Sequence, residues 1–95
     1  MTKNWKTAKI KRLAKALSSV TNEKDMVSFM RDLCTLEEMT EMANRWEAVQ
    51  MIEEGKPYRE IAGKTGMSTT TVTRIAHWLK HGEGGYQKAL KQKKK

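Results

Sequence analysis

Between Tyr58 and His77 the chain meets a set of positional constraints that two short helices crossing at a tight turn satisfy together. Ile61 is placed to face a core from the first of these helices, and Ala62 is small where the two would cross closely. Gly66 stands at the turn, where a residue tolerating positive φ is favoured. Ser68 can then offer its side-chain oxygen to the unpaired N–H groups that open the second helix. Val72, Ile75, Ala76 and Leu79 follow at three- and four-residue steps and give that helix one apolar face. The β-branched run from Thr69 to Val72 invites a strand reading, but the helical period on its C-terminal side overrides it.

The rest of the chain carries the same period. Ile10, Leu13, Leu17 and Val20 mark a first helix from about Trp5, with Lys11, Arg12 and Lys15 opposite. Thr21 and Asn22 offer an N-cap for a second helix, on which Met26, Phe29, Met30 and Leu33 share a side; Glu23 and Asp25 suit its positive end. Thr35 and Glu38 have the spacing of a capping box, and a long third helix runs from there to about Glu54 through Leu36, Met39, Met42, Ala43, Trp46, Val49 and Ile52. Gly55 is a natural stop, and Pro57 suits the first turn of the next helix. After Gly82-Glu-Gly-Gly85, Tyr86, Ala89 and Leu90 begin a short last helix. The expectation is an all-α chain of about six helices in one domain, residues 1–95. It comprises a basic first helix (1–20), dimerisation helices (21–54), a helix-turn-helix (57–81), and a short last helix with a lysine-rich tail (82–95).

Ninety-five residues with seven Met and a single Phe make a thin core for a lone chain, so a second copy is expected to complete it. The formal charge is +8 and unevenly spread. Residues 21–54 are acidic, whereas residues 1–20 and 84–95 contain bases and no acids, and 55–83 are net basic. Such a distribution suits a polyanionic partner. No secretory signal or membrane-spanning run is visible, and the lone Cys34 reads as a structural thiol, so a cytoplasmic location is expected. No nucleophile–base spacing or phosphate-cradling loop points to an enzyme. His77 and His81 are four apart on one helical face but lack a third ligand, so no metal site is assigned. Met39, Met42, Met51, Trp46 and Trp78 could line an adaptable groove, but at helical spacing most of them are expected in core or dimer interface.

The outer face of the second helix of the pair is the informative surface. At about a hundred degrees per residue, Thr70, Thr73, Arg74, His77 and His81 point away from the apolar face. In the helix-turn-helix the start of the second helix enters the major groove, which places Ser68, Thr69 and Thr70 near base edges and phosphates. Arg59 and Lys64 flank them from the preceding helix. These residues, with Thr73 and Arg74, form the candidate double-stranded DNA interface. Two alternatives stay open on the residues alone: a protein-interaction module built on the same helices, and a non-specific nucleic-acid binder.

The chain resembles the Trp-repressor-like family, most closely its YerC/YecD-type branch. The resemblance rests on Asp32–Glu38 (DLCTLEE), Arg45-Trp46, Glu54–Ala62 (EGKPYREIA), Ser68–Arg74 (STTTVTR) and His81–Tyr86 (HGEGGY), and spans about residues 22–90. It implies an intertwined homodimer with six helices per subunit and two recognition units facing one side of an operator. It also implies a transcriptional regulator, a repressor, that blocks polymerase, and by motif position it puts Arg59 and residues 68–73, Thr71 among them, at the DNA. In the tryptophan-responsive members two arginines line the corepressor pocket; they align with Arg45 and Arg74, and the threonine at the pocket edge aligns with Thr35. These three are the candidate effector-binding residues. Where those members keep small side chains, this sequence has Ile75 and Trp78, which argue against tryptophan as corepressor and leave the effector unassigned.

Overall fold

Six helices appear in the order expected. The computed structural model describes residues 4–93, so the ends of the basic first segment and of the lysine-rich tail lie outside the described residues. The helices are α1 (Ala8–Ser19), α2 (Glu23–Leu33), α3 (Leu36–Glu53), α4 (Tyr58–Thr65), α5 (Thr69–His81) and α6 (Gly85–Lys93), and no strand occurs among the described residues. The chain divides into two compact units, the first ending at Met39 and the second beginning at Thr40.

In the first unit, local caps define the helices. α1 starts three residues later than its apolar pattern suggests, because Thr7 acts as the N-cap and its hydroxyl accepts from the Ile10 N–H at 3.1 Å. Asn22, not Thr21, caps α2, accepting from the Asp25 N–H at 2.8 Å and donating to the Asp25 carboxylate at 2.8 Å. At the start of α3 the Glu38 N–H donates to the Thr35 hydroxyl at 3.1 Å, and Glu38 accepts from the Thr35 N–H at 2.8 Å. That reciprocal pair is the capping box. Cys34 terminates α2 and is half-buried; its N–H donates to the Met30 carbonyl at 2.8 Å. Neither α1 nor α2 has a buried residue. The stripes read as core faces are open here: Ile10, Leu13 and Leu33 are exposed, and Leu17, Val20, Met26, Phe29 and Met30 are half-buried.

The second unit holds the core. Ala48, Val49 and Met51 of α3 pack with Ile61 of α4, Val72, Ile75 and Leu79 of α5 and Leu90 of α6. Ile61, Val49 and Val72 are fully enclosed, so the upper half of α3 supports both helices of the pair. Gly55 ends α3 at φ +81°, with its N–H on the Ile52 carbonyl and the Lys56 N–H on the Met51 carbonyl, both at 3.0 Å. This pairing satisfies two carbonyls left free at the helix end. Pro57 precedes α4 as its N-cap rather than lying inside its first turn. With φ fixed and no N–H to satisfy, it suits either position.

Candidate nucleic-acid interface

The two helices that carry the candidate interface are held by their turn and by one shared face. α4 ends at Gly66, whose φ of +76° is the left-handed conformation anticipated from the sequence, and whose N–H donates to the Ala62 carbonyl at 2.9 Å. Thr65, buried, donates its hydroxyl to the Ile61 carbonyl at 2.7 Å and so closes the last turn of α4 without an unpaired polar atom. The sequence reading had missed this threonine, because its neighbours mark it only as a polar residue at a helix end. Ser68 then caps α5, its oxygen accepting from the Thr71 N–H at 3.1 Å. Val72, Ile75, Ala76 and Leu79 are all buried, so the inner face of α5 is the one read from the spacing.

With that face fixed, the opposite one is determined. Thr70, Arg74, His77 and His81 are exposed along the side of α5 opposite the core, and Thr69 and Thr73 are exposed at its flank. Arg59 and Lys64 are exposed on α4. Among the described residues, neither the Thr69 nor the Thr70 hydroxyl has a protein hydrogen-bond partner, and Arg74 has no ion pair. Thr73 differs, because its hydroxyl donates to the Thr69 carbonyl at 2.9 Å. Thr71 differs more: it is half-buried, its hydroxyl lies 3.0 Å from that of Ser68, and it faces a cavity rather than the outer row. The caps thus use Ser68 and Thr71, while Thr69, Thr70 and Arg74 present unengaged polar groups.

The cavity lies beside this row within the second unit. It has a volume of about 520 Å³ and is lined by Arg45 of α3, by Thr71, Arg74, Ile75 and Trp78 of α5, and by Glu83, Gly84, Gly85 and Tyr86. Arg45 and Arg74 are therefore brought to one place. Arg45 is held there by Glu41, one turn earlier on α3, at 2.7 Å. Ile75 is buried, whereas Trp78 is 57% exposed, and both line the cavity. The exit after α5 must be glycine at position 82: a Cβ there would sit 2.5 Å from the Trp78 carbonyl oxygen and 2.6 Å from its indole Cε3. Thr35 belongs to the first unit, where its hydroxyl serves the capping box. Sequence spacing did not mark Glu83 or Tyr86 as cavity residues; the glycines around them were the available signal. Among the described residues no group of three or more His, Cys, Asp or Glu side chains is placed to hold a metal ion, and no helix is long and apolar enough to cross a membrane.

An all-helical chain whose fourth and fifth helices meet at a left-handed glycine, with a polar outer row on the fifth, is a helix-turn-helix protein. The family model described as Trp repressor protein matches residues 8–94, and the chain belongs to that family of DNA-binding regulators. It is 36% identical over 83 residues to the uncharacterized protein YerC of Bacillus subtilis, an alignment covering 84% of this chain and 80% of that protein. Its fold is similar to that of a TrpR-like protein from Eubacterium eligens, with a TM-score of 0.85, 32% identity, and coverage of 92% of this chain and 90% of the other. It is also similar to a Trp repressor candidate from Staphylococcus aureus, with a TM-score of 0.86, 28% identity, and coverage of 94% and 89%.

Proposed function

We propose that the chain is a cytoplasmic, homodimeric transcriptional repressor that reads an operator of two half-sites with α5. The observation that carries this reading is the outer row of α5, where Thr70 and Arg74 are exposed and unengaged on the side opposite a fully buried face. A threonine methyl and hydroxyl at the start of such a helix suit base edges, including the thymine methyl, and an arginine suits guanine or phosphate. Arg59, Lys64, Ser68, Thr69, Thr71 and Thr73 complete the assigned surface. Ser68 and Thr71 act on it by fixing the first turn, and Arg59 and Lys64 act as phosphate contacts.

The dimer has its own support. Neither α1 nor α2 has a buried residue, and on α3 Leu36, at 61% exposure, and Met42 are exposed. A second copy of the chain is the partner that would cover these faces. Two recognition helices entering successive major grooves would then lie about 34 Å apart. The Arg45–Arg74 cavity is a candidate effector site, with Ile75 and Trp78 favouring a ligand other than tryptophan.

The test is selection of bound duplexes from a random pool, followed by sequencing and by a mobility shift on the enriched sequence. Enrichment of a two-fold symmetric sequence is expected, with affinity falling steeply as salt rises because phosphate contacts release counterions. Binding without enrichment would make the chain a non-specific nucleic-acid binder. An absence of duplex binding would leave the helix pair as a protein-contact module.

A further inference from the structure

We propose that His77 and His81 form a proton-dependent phosphate-contact site that extends the DNA interface along α5, an inference that rests on the DNA-binding reading above. The chain has two histidines in all, and both stand on the outer row of one helix. Their rings are neighbours, with centroids 4.9 Å apart and planes inclined by 46°. Both are exposed. Taking the centre of the buried face as the reference and a hundred degrees per residue, Thr70, Arg74, His77 and His81 all fall close to the opposite side. The two imidazoles thus continue the line that Thr70 and Arg74 begin.

Their distance along that line sets the partner. At about 1.5 Å rise per residue, His77 lies about 10 Å and His81 about 16 Å beyond Thr70. A major groove is about 8.5 Å deep. A helix that enters it N-terminus first, with Thr70 at the base edges, therefore carries His77 to about the level of the sugar–phosphate ridge, and a helix inclined to the groove floor brings His81 to the same ridge. Phosphate oxygen, not a base edge, is what they meet there.

The electrostatic surroundings favour an anion at this end. Arg74 and Lys80 lie on α5 itself, and Lys80 and His81 occupy its last turn. α4, packed on α5, contributes Arg59, Glu60 and Lys64; from α3, Arg45 shares the cavity with Arg74 and is paired with Glu41, and Glu53 lines a second cavity with Lys80; α6 carries Lys88 and Lys91; and Glu83 follows in the exit. Among the described residues no carboxylate lies within ion-pair distance of either imidazole. Two imidazolium charges this close, near Arg74 and Lys80, repel each other, and a phosphate seated against them converts that repulsion into attraction. Proton uptake is thereby coupled to DNA binding. Histidine is the side chain that ordinarily changes charge near neutral pH, so lowering the pH across that range is the perturbation that probes the coupling.

The experiment measures the affinity of the full chain for one duplex from the enriched pool, at about pH 7.5 and pH 5.5 and over a range of salt. The wild type is expected to bind about tenfold or more tightly at the lower pH, with a salt slope steeper by about 0.9 for each new phosphate contact. The H77Q/H81Q double variant is expected to lose the tightening between pH 7.5 and pH 5.5, and circular dichroism shows whether its helices persist. If they do not, the single variants H77Q and H81Q, each expected to remove about half of the effect, take its place. Wild-type affinity independent of pH, or variants that keep the full pH dependence, would overturn the site while leaving the DNA-binding reading intact. No duplex binding at either pH would overturn both.

Discussion

If Thr70 and Arg74 read DNA, as proposed, truncating them weakens binding without weakening the fold. Thr70→Ala removes a hydroxyl and a methyl that have no protein hydrogen-bond partner among the described residues. Alanine has the better helix propensity, by at most about 0.7 kcal/mol, so the folded state should be unchanged or slightly stabilised. Arg74→Ala removes an exposed guanidinium without an ion pair, and surface changes of this kind usually stay within about 0.5 kcal/mol. At the DNA the ledger differs. A lost neutral hydrogen bond is worth about 0.5–1.5 kcal/mol and a charged one about 1.5–3 kcal/mol. In a dimer each change acts twice, so Thr70→Ala should cost about 1–3 kcal/mol of binding and Arg74→Ala about 3–6 kcal/mol. Those correspond to roughly fivefold to 150-fold and more than a hundredfold in Kd. Mobility shifts on the enriched duplex, paired with urea unfolding of each variant, read both quantities. A double variant that folds normally and still binds with wild-type affinity would refute the assignment of this face.

Three further outcomes follow from the packing. Gly66→Ala meets no steric obstacle, but its φ of +76° should cost about 1–2 kcal/mol of stability; Gly82→Ala, which drives a Cβ into Trp78, should cost more, and urea midpoints will order the two. Ile61→Ala empties a fully buried position between α4 and the core and should destabilise by about 2–5 kcal/mol, measured by thermal unfolding, with DNA affinity falling in proportion to the unfolded fraction. Calorimetric titration with tryptophan is expected to show no saturable heat, because Ile75 and Trp78 line the space beside Arg45 and Arg74; clear saturation would show that the cavity accommodates an indole.

Where a local rule with one physical solution governed the chain, the sequence was legible. The Thr35–Glu38 capping box, the left-handed glycines at positions 55 and 66, the Ser68 cap and the inner face of α5 all stand where spacing put them. Helix starts were less readable. Thr7 caps α1, so the helix begins at Ala8, three residues after Trp5, which lies outside the helix with Lys6 over its ring at 5.5 Å. The cavity was the least readable feature. Its wall combines α3, α5 and the glycine exit, and no single periodicity spans three segments. Thr71 shows the same limit at one residue: its register in α5 allowed an outward role, but the Ser68 hydroxyl draws it into the cap.

The open stripes of the first unit make the complementary point. Periodicity reports which residues avoid water, not which chain they avoid it against. Ile10, Leu13 and Leu17 repeat as regularly as Val72, Ile75 and Leu79, yet only the second set is buried. The difference lies in what else each helix can reach. α5 has α4 joined to it by a three-residue turn and the end of α3 beneath, so its apolar face closes within one chain. α1 and α2 carry equally apolar faces with no buried position on either, and sealing them at about 25 cal/mol per Å² takes further apolar surface. A regulator built this way divides its sequence by purpose. One half closes its apolar face internally; if the other closes its faces against a second copy, as proposed, the pairing of two copies is coupled to the folding of the helices that pair them.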